Sequence, residues 1–348
     1  MASVRNLWRY KKLYSFPYPI GGANASASPS SVPVEITKYA QEDFFNRIIV
    51  RVFGNIIVAG AGAGVATGRD NPEGLLIQAN LQTSPQVTGV TPINRLSARG
   101  LLYENMLTRG YLLKATAVPD AAATTAVDWH YIFNFSRAGT RKRIEYSFAM
   151  QKFTSVLLTL TFGGREQLFT GGTNTWDVSG LSVEIYGDSA FAVQADQVHS
   201  HELFEQSFPI LATQSDFPID TLPSGYLYTD LVFLAEDNNA LVNTVINNFA
   251  IEGGGRIWLA AGDNNAALVQ SDDTQELLMP SQTLTGIYAP VSMLRNGMFT
   301  QAIDALTAPV TVRLGVTFPG VGGHVYNVRM VGRRMVPGAV QRKAAPRK

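Results

Sequence analysis

Apolar and polar residues alternate with a period of two along much of this chain. The clearest run is PVTVRLGVTF, where Val310, Val312, Leu314 and Val316 alternate with Thr311, Arg313, Gly315 and Thr317, the pattern of a half-buried strand. Similar runs are IIVRVFGNIIVAG, HYIFNFS, SVLLTLTF, LSVEIYG, LYTDLVFLA and HVYNVRMVG, separated by clusters of Gly, Asn, Asp and Pro. Many short strands punctuated by turn residues predict an all-β sandwich or barrel rather than alternating βα units. Helical spacing is confined to INRLSARGLLYENML and EDNNALVNTVINN.

The stretch NIIVAGAGAGVATG, Asn55 to Gly68, looks at first like the opening of a dinucleotide-binding enzyme. The G-x-G-x-x-G fingerprint requires its glycines between a strand and a helix whose N-terminus meets the pyrophosphate. Counted from Gly60 and Gly62, the third glycine place holds Val65; counted from Gly62 and Gly64, it holds Thr67. Pro72 then disfavours helix at Asn71, so no anion-binding helix end follows. A strand leaving into a flexible loop is the expected structure.

An internal repeat organises the strands. The runs Leu158-Thr-Leu-Thr-Phe-Gly-Gly164 and Leu314-Gly-Val-Thr-Phe-Pro-Gly320 share one pattern, and each precedes another strand ending in glycine, LSVEIYG and YNVRMVG. A looser echo pairs LLIQANL, from Leu75, with VINNFAI, from Val245. The common order of these echoes predicts two β units over 45–190 and 223–337, joined by a connector over 191–222. An N-terminal arm and spacer over 1–44 and a basic tail over 338–348 flank them.

Composition narrows the function classes. With 348 residues, 46% of them hydrophobic and 16% charged, the chain can bury a sizeable core and has few charges left for its surface. So quiet a surface suggests extensive contact with other protein. No apolar run approaches the roughly 18 residues of a membrane-spanning helix. MASVRNLWRYKK lacks the apolar stretch of a secretion signal. The absence of cysteine excludes disulfides, thiol catalysis and thiolate metal sites, and fits a reducing cytoplasm.

The net charge of +1 hides a strong asymmetry. Before Glu35 there is no acidic residue, against Arg5, Arg9, Lys11 and Lys12. After Asp304 there is again none, against Arg313, Arg329, Arg333, Arg334, Arg342, Lys343, Arg347 and Lys348. Charge sorted in this way points to tails that meet a polyanion, nucleic acid or an anionic lipid surface.

Catalytic constellations are sparse. In QVHSHELFEQ, His199, His201 and Glu205 fit the HxHxxxE core of the metal-binding cupins. The flanking cupin glycines, however, would fall at Val193 and Ala212, and Val321 occupies the glycine place of the second motif ahead of His324. A polar connector is the expectation for this stretch. There is no GxSxG elbow and no P-loop. The acidic pairs Glu236-Asp237 and Asp272-Asp273 are expected in solvated Asn-rich turns, and Arg141-Lys142-Arg143 in a hairpin loop. No catalytic residue, cofactor or metal is expected.

In the arm, NLWRYKKLYSFPYP interleaves Leu7, Trp8, Tyr10, Leu13, Tyr14 and Phe16 with Arg9, Lys11 and Lys12. That mixture suits a lipid headgroup boundary and equally suits a neighbouring subunit. ANASASPSSVP supplies a flexible spacer, so the arm is expected to reach away from the body.

Two β units in series, a basic aromatic arm and no catalytic set resemble the double jelly-roll major capsid proteins of tailless, membrane-containing icosahedral phages, the tectiviruses and corticoviruses. In the first unit the likeness rests on VRVFGNIIVAG followed by DNPEGLLIQANLQ, and on SVLLTLTFGGREQLFTGG leading to LSVEIYG. In the second it rests on LYTDLVFLAEDNNALVNTVINNFAI, and on LRNGMFTQAIDALTAPVTVRLGVTFPG leading to VYNVRMVG. The GAGAG loop departs from the pattern in being longer and richer in glycine.

The resemblance implies an all-β fold of two consecutive eight-stranded jelly-roll sandwiches with short helices in loops. It implies a homotrimer whose six similar lobes tile an icosahedral shell, with an obligate interface of roughly 2,000–5,000 Å². The implied partners are further copies of the chain in its own and neighbouring capsomers, penton and minor capsid proteins, and an internal lipid membrane. That membrane or inner face would be met by Arg5, Trp8, Arg9, Lys11 and Lys12, and no sequence-specific nucleic acid is implied. The implied location is the virion shell, assembled in the host cytoplasm. The competing readings are a bicupin-like metal enzyme or sugar-binding jelly-roll protein, and a nucleic-acid-binding protein led by its basic ends.

Overall fold

The structure, a computed structural model, describes residues 9–20, 29–37, 44–60, 65–66, 75–84, 91–109, 118, 121–135, 148–150, 153–167, 169–170, 175–190, 201–238, 240–253, 256–259, 265–276, 284–292 and 302–335. In chain order the first elements are β1 (Arg9–Pro17), β2 (Ser30–Glu35), β3 (Phe44–Ala59), β4 (Val65–Ala66), β5 (Leu76–Ser84), β6 (Ile93–Leu96) and helix α1 (Ala98–Arg109). Next come β7 (Ala123–Asn134), β8 (Phe148–Ala149), β9 (Ser155–Phe162), β10 (Phe169–Thr170) and β11 (Thr175–Ala190). The remainder holds β12 (His201–Ile210), β13 (Gln214–Leu222), β14 (Tyr226–Asp237), β15 (Ala240–Leu241), β16 (Ile246–Gly253), β17 (Arg256–Leu259) and helix α2 (Ala266–Glu276). It ends with β18 (Ile287–Ser292), β19 (Ile303–Ala305), β20 (Val310–Val316) and β21 (Tyr326–Met335).

Two sandwiches result. In the first, the sheet β1-β11-β3-β7 packs on β2-β9-β5-β6; in the second, β12-β21-β14-β18 packs on β13-β20-β16-β17. Numbering the eight principal strands of each unit in chain order gives 1-8-3-6 and 2-7-4-5 in both, the jelly-roll order. Every echo in the sequence falls on equivalent strands. LLIQANL and VINNFAI meet the fourth strands, the Leu158 and Leu314 runs the seventh, and LSVEIYG and YNVRMVG the eighth.

Strand alternation sets the core. Along β9, Val156, Leu158, Leu160 and Phe162 are buried and their neighbours half-buried. Each such side chain contributes about 1.5–3 kcal/mol by leaving water. The units are fused through a parallel pair, Ile93 opposite Leu203 and Asn94 opposite Phe204, which makes one ten-stranded sheet of β2-β9-β5-β6 and the β12-β21-β14 layer.

The units begin earlier than the sequence pattern indicates. Residues 9–17 are not an arm reaching away from the body but the first strand of unit 1, antiparallel to β11, with Leu13 and the following Tyr18 buried. The last four residues of the expected spacer, Ser30 to Pro33, belong to β2, on the edge beside β9. The segment expected to connect the units, 191–222, holds β12 and β13, the first two strands of unit 2. These four strands escape the alternation rule because charges and prolines interrupt it, Pro33 and Pro218 both lying on edge strands where a missing N–H is tolerated.

Of the two expected helices, the first is α1, preceded by four residues that form β6. The second, EDNNALVNTVINN, is a strand, a turn and two further strands. Asn238 turns the chain with φ of 46°, and its side chain accepts from the Val325 N–H at 2.9 Å. The helix that forms instead is α2, capped by Asn265, whose Oδ1 accepts from Ala267 N–H at 2.8 Å. Asp272 and Asp273 therefore stand on a helix rather than in a turn. The glycine-rich stretch leaves the strand β3, as expected, and residues 61–64 lie outside the described residues.

Candidate functional site

Among the described residues, most of the buried charged side chains lie where the two units meet. Helix α1 of unit 1 lies across the outer face of β14 and β21 of unit 2, so Ala98 and Leu101 share a core with Leu203, Val232, Leu234 and Val331. Around this apolar patch runs a set of buried ions. Arg99 donates to Glu236 Oε1 at 2.9 Å, and Arg329 reaches the same carboxylate at 3.3 Å and also bonds Glu205. Arg333 donates to Glu104 at 2.7 Å, with Asp230 at 4.0 Å behind it. The second oxygen of Glu205 accepts from Ser97 N–H at 2.6 Å, and Gly100 lets the helix approach that carboxylate.

Burial pushes the Glu236 carboxyl up, but the cations Arg329 and Arg99 outweigh it and hold the group below the usual carboxylate range. Desolvation likewise lowers Arg329, and Glu205 and Glu236 more than reverse it. At the rim, Arg334 lies over the Tyr226 ring at 4.1 Å and donates to Glu202 at 2.9 Å, beside a cavity of about 580 Å³ that Asn94, Arg95 and Tyr228 also line. An ion of this network misplaced by a register slip would be left buried and unpaired.

Unit 1 presents the same strands with the charges inverted. Ser15 and Ser207 stand opposite Glu184 and Arg329; Arg47 and Asp230 stand opposite Asp188 and Arg333. Lys12 and Arg51 bond Glu184, where Glu205 and Glu236 bond Arg329. Lys12, and after it Tyr186, hold the Glu184 carboxyl below its usual range, and Arg51 does the same for Asp128. Here no helix covers the ions among the described residues: Lys12 is 47% exposed and Arg51 32%.

The expected site residues distribute as follows. Lys12 sits on the open sheet face bound to Glu184, and Lys11 lies on the same strand. Arg9 begins β1, while Arg5 and Trp8 lie outside the described residues. His199 is also outside them, and His201 opens β12. Glu205, the carboxylate a cupin-like site would need, is engaged by Arg329 and Ser97. Arg141-Lys142-Arg143 falls outside the described residues.

Four of the eight C-terminal cations depart from the expectation of a polyanion-binding tail, while Arg342, Lys343, Arg347 and Lys348 lie outside the described residues. Arg329, Arg333 and Arg334 neutralise buried acids at the joint, and Arg313 pairs with Glu252 at 3.0 Å. Glu236, expected in a solvated turn, is instead a fully buried residue of β14, and Glu202 and Asp230 are the residues sequence reading misses. The available signal is the alignment of LSVEIYGD with YNVRMVGR, which sets Glu184 and Asp188 against Arg329 and Arg333.

No protein-family model matches the sequence, and no curated protein matches it. Solved structures do match. The STIV MCP superposes with a TM-score of 0.69 at 15% identity, over 97% of this chain and all of that one. A second structure, of Sulfolobus Turreted Icosahedral Virus, gives 0.67 at 14% identity, over 95% of this chain and 91% of that one. The major capsid protein P2 from bacteriophage PM2 gives 0.59 at 11% identity, over 95% and 97%. The chain therefore has the double jelly-roll fold of these viral major capsid proteins, over nearly its whole length.

Proposed function

We propose that this chain is a major capsid protein whose homotrimer forms a six-lobed, pseudo-hexagonal tile of an icosahedral virion shell. The observation that carries the reading is the repetition of one strand order in two fused units, together with the full-length likeness to capsid proteins. A shell tile has no reaction to perform; its function is to hold two lobes at a fixed angle and to present edges to neighbours. The buried ions and shared core at the joint are suited to the first task.

Further copies of the tile, penton and minor capsid proteins would be its neighbours in a virion assembled in the host cytoplasm. Arg9 at the start of β1 stands opposite Ser189 of β11, and His201 at the start of β12 stands opposite Met335 at the end of β21. The segments before β1 and after β21 thus leave equivalent corners of the two units. In a tile of repeated lobes these two corners face the same side, and we propose that Arg5 and Trp8 and the cations Arg342, Lys343, Arg347 and Lys348 meet anionic lipid there.

The mass of the purified protein by light scattering on a size-exclusion column, with negative-stain images of the peak, tests the tile. A hexagonal particle near three times 37.8 kDa, or a shell, is expected. A persistent monomer without shells would overturn the proposal.

A further inference from the structure

The two helices occupy the same place in the two units, between the fifth and sixth strands: β6-α1-β7 and β17-α2-β18. Both are side-chain capped, Ser97 Oγ accepting from Gly100 N–H at 3.1 Å and Asn265 Oδ1 from Ala267 N–H at 2.8 Å. Aligned on these caps, Ala98 and Leu101 match Ala266 and Val269, and all four are buried. Each helix packs on the sixth strand of its own unit. The next positions diverge in fate. Arg99 and Gly100 of α1 are covered by unit 2, whereas their counterparts Ala267 and Leu268 on α2 are exposed, Leu268 by 66%.

The sheet faces diverge in the complementary way. Beneath α1 lie Leu203, Val232 and Val331, all buried. Their register equivalents in unit 1 are Tyr10, Ile49 and Tyr186, on a face that no described element covers, with Tyr10 59% exposed. Each chain thus has one helix docked on one sheet face, and in addition one equivalent helix and one equivalent face with nothing on them among the described residues.

We infer that α2 of one copy docks on the outer face of β1-β11-β3 of a second copy, as α1 docks on β12-β21-β14 within the chain. In overall sign the charges of helix and face agree with this pairing, with Ala267 standing where α1 has Arg99 and Asp272 where it has Glu104. The internal face, where Glu205 and Glu236 flank Arg329, receives Arg99. On the open face Lys12 and Arg51 flank Glu184, and Arg47 lies beside Asp188. The helix assigned to it carries Asp272, Asp273 and Glu276 and no cation. Leu268 stands where α1 has Gly100, so it meets Tyr186 and the stem of Lys12 rather than repeating the tight contact with Glu205. Because helix and face are different surfaces, the contact is heterologous, and on the trimeric reading, on which this inference rests, three such contacts close the ring.

The chain contains no cysteine, so a disulfide can be placed without background. Leu268→Cys combined with Tyr186→Cys, oxidised at neutral pH, is expected to give disulfide-linked species up to the trimer on a non-reducing gel, with neither single variant passing the dimer. A second variant, Leu268→Arg, sets a cation against Lys12 at an exposed site. It is expected to keep the far-UV circular dichroism of the wild type while weakening subunit association by roughly tenfold or more. A wild-type trimer whose double-cysteine form does not cross-link, and whose Leu268→Arg form associates normally, overturns this contact and leaves the tile standing. A wild-type monomer overturns both.

Discussion

Arg99, in the first turn of α1, donates to Glu236 of β14 at 2.9 Å, with the two side chains 5% and 0% exposed. One residue belongs to each unit, so this bond pins the lobes to each other. Truncating one member of a buried pair leaves the other charged and unpaired, at a cost of about 3–5 kcal/mol. Arg99→Met is therefore expected to lower the thermal midpoint strongly. Arg313→Met, which breaks half-exposed pairs with Asp216 and Glu252, is expected to cost no more than about 1 kcal/mol. Calorimetry of the two variants side by side checks the contrast.

The same carboxylate sets an acid limit. Glu236 is held below the usual carboxylate range in the folded chain, so it binds fewer protons folded than unfolded. Its stabilising contribution is full above the unfolded value, about 4.3, and is lost as pH falls through the lower folded value. Glu184 and Asp128 titrate in the same direction. Glu236→Gln is expected to be less stable at neutral pH and to lose less stability on acidification. Urea midpoints measured from pH 7 down to 3 give the two slopes; equal slopes would contradict the assignment.

Legibility in the sequence follows the local physics. β9 and β20 alternate along their buried faces, and both are plain. β1 and β12 are not, since their outward residues are large and charged, yet Ser15-Phe16-Pro17 and Ser207-Phe208-Pro209 repeat at the same register against β11 and β21. Val32-Pro33-Val34-Glu35 and Phe217-Pro218-Ile219-Asp220 repeat likewise on β2 and β13. The ionic joint is hidden for a different reason. Nothing next to Glu236 in the chain distinguishes a solvated turn residue from a buried ion, because its partners Arg99 and Arg329 arrive from 137 and 93 residues away.

Asn238 tests the turn that replaces the expected second helix. Its φ of 46° is one a β-branched residue adopts only with strain, and its side chain holds Val325 N–H at 2.9 Å. Asn238→Val is expected to cost about 1–3 kcal/mol, whereas Asn238→Gly keeps the backbone conformation and loses only the side-chain bond, costing about 1 kcal/mol. Denaturant midpoints should fall in the order wild type, Gly, Val. A helix over this stretch would reverse the last two, because glycine is the poorer helix former.

Gly100 tests how closely the lobes must approach. On helix propensity alone, Gly100→Ala should stabilise α1 by about 1 kcal/mol. At this position, however, a Cβ would enter the space of the Glu205 carboxylate and the Val331 side chain. Glu205 has little freedom to yield, since Arg329 holds one oxygen and Ser97 N–H the other. Overpacking of a fixed core costs about 1–3 kcal/mol, so the steric term exceeds the propensity gain and the variant is expected to unfold at lower urea. Ser271→Ala, on the exposed side of α2, carries a propensity gain of about a few tenths of a kcal/mol without that clash and is expected to match or exceed wild type. If Gly100→Ala instead rises with Ser271→Ala, the joint is looser than the packing of Gly100 on Glu205 requires, and the angle between the lobes is fixed elsewhere.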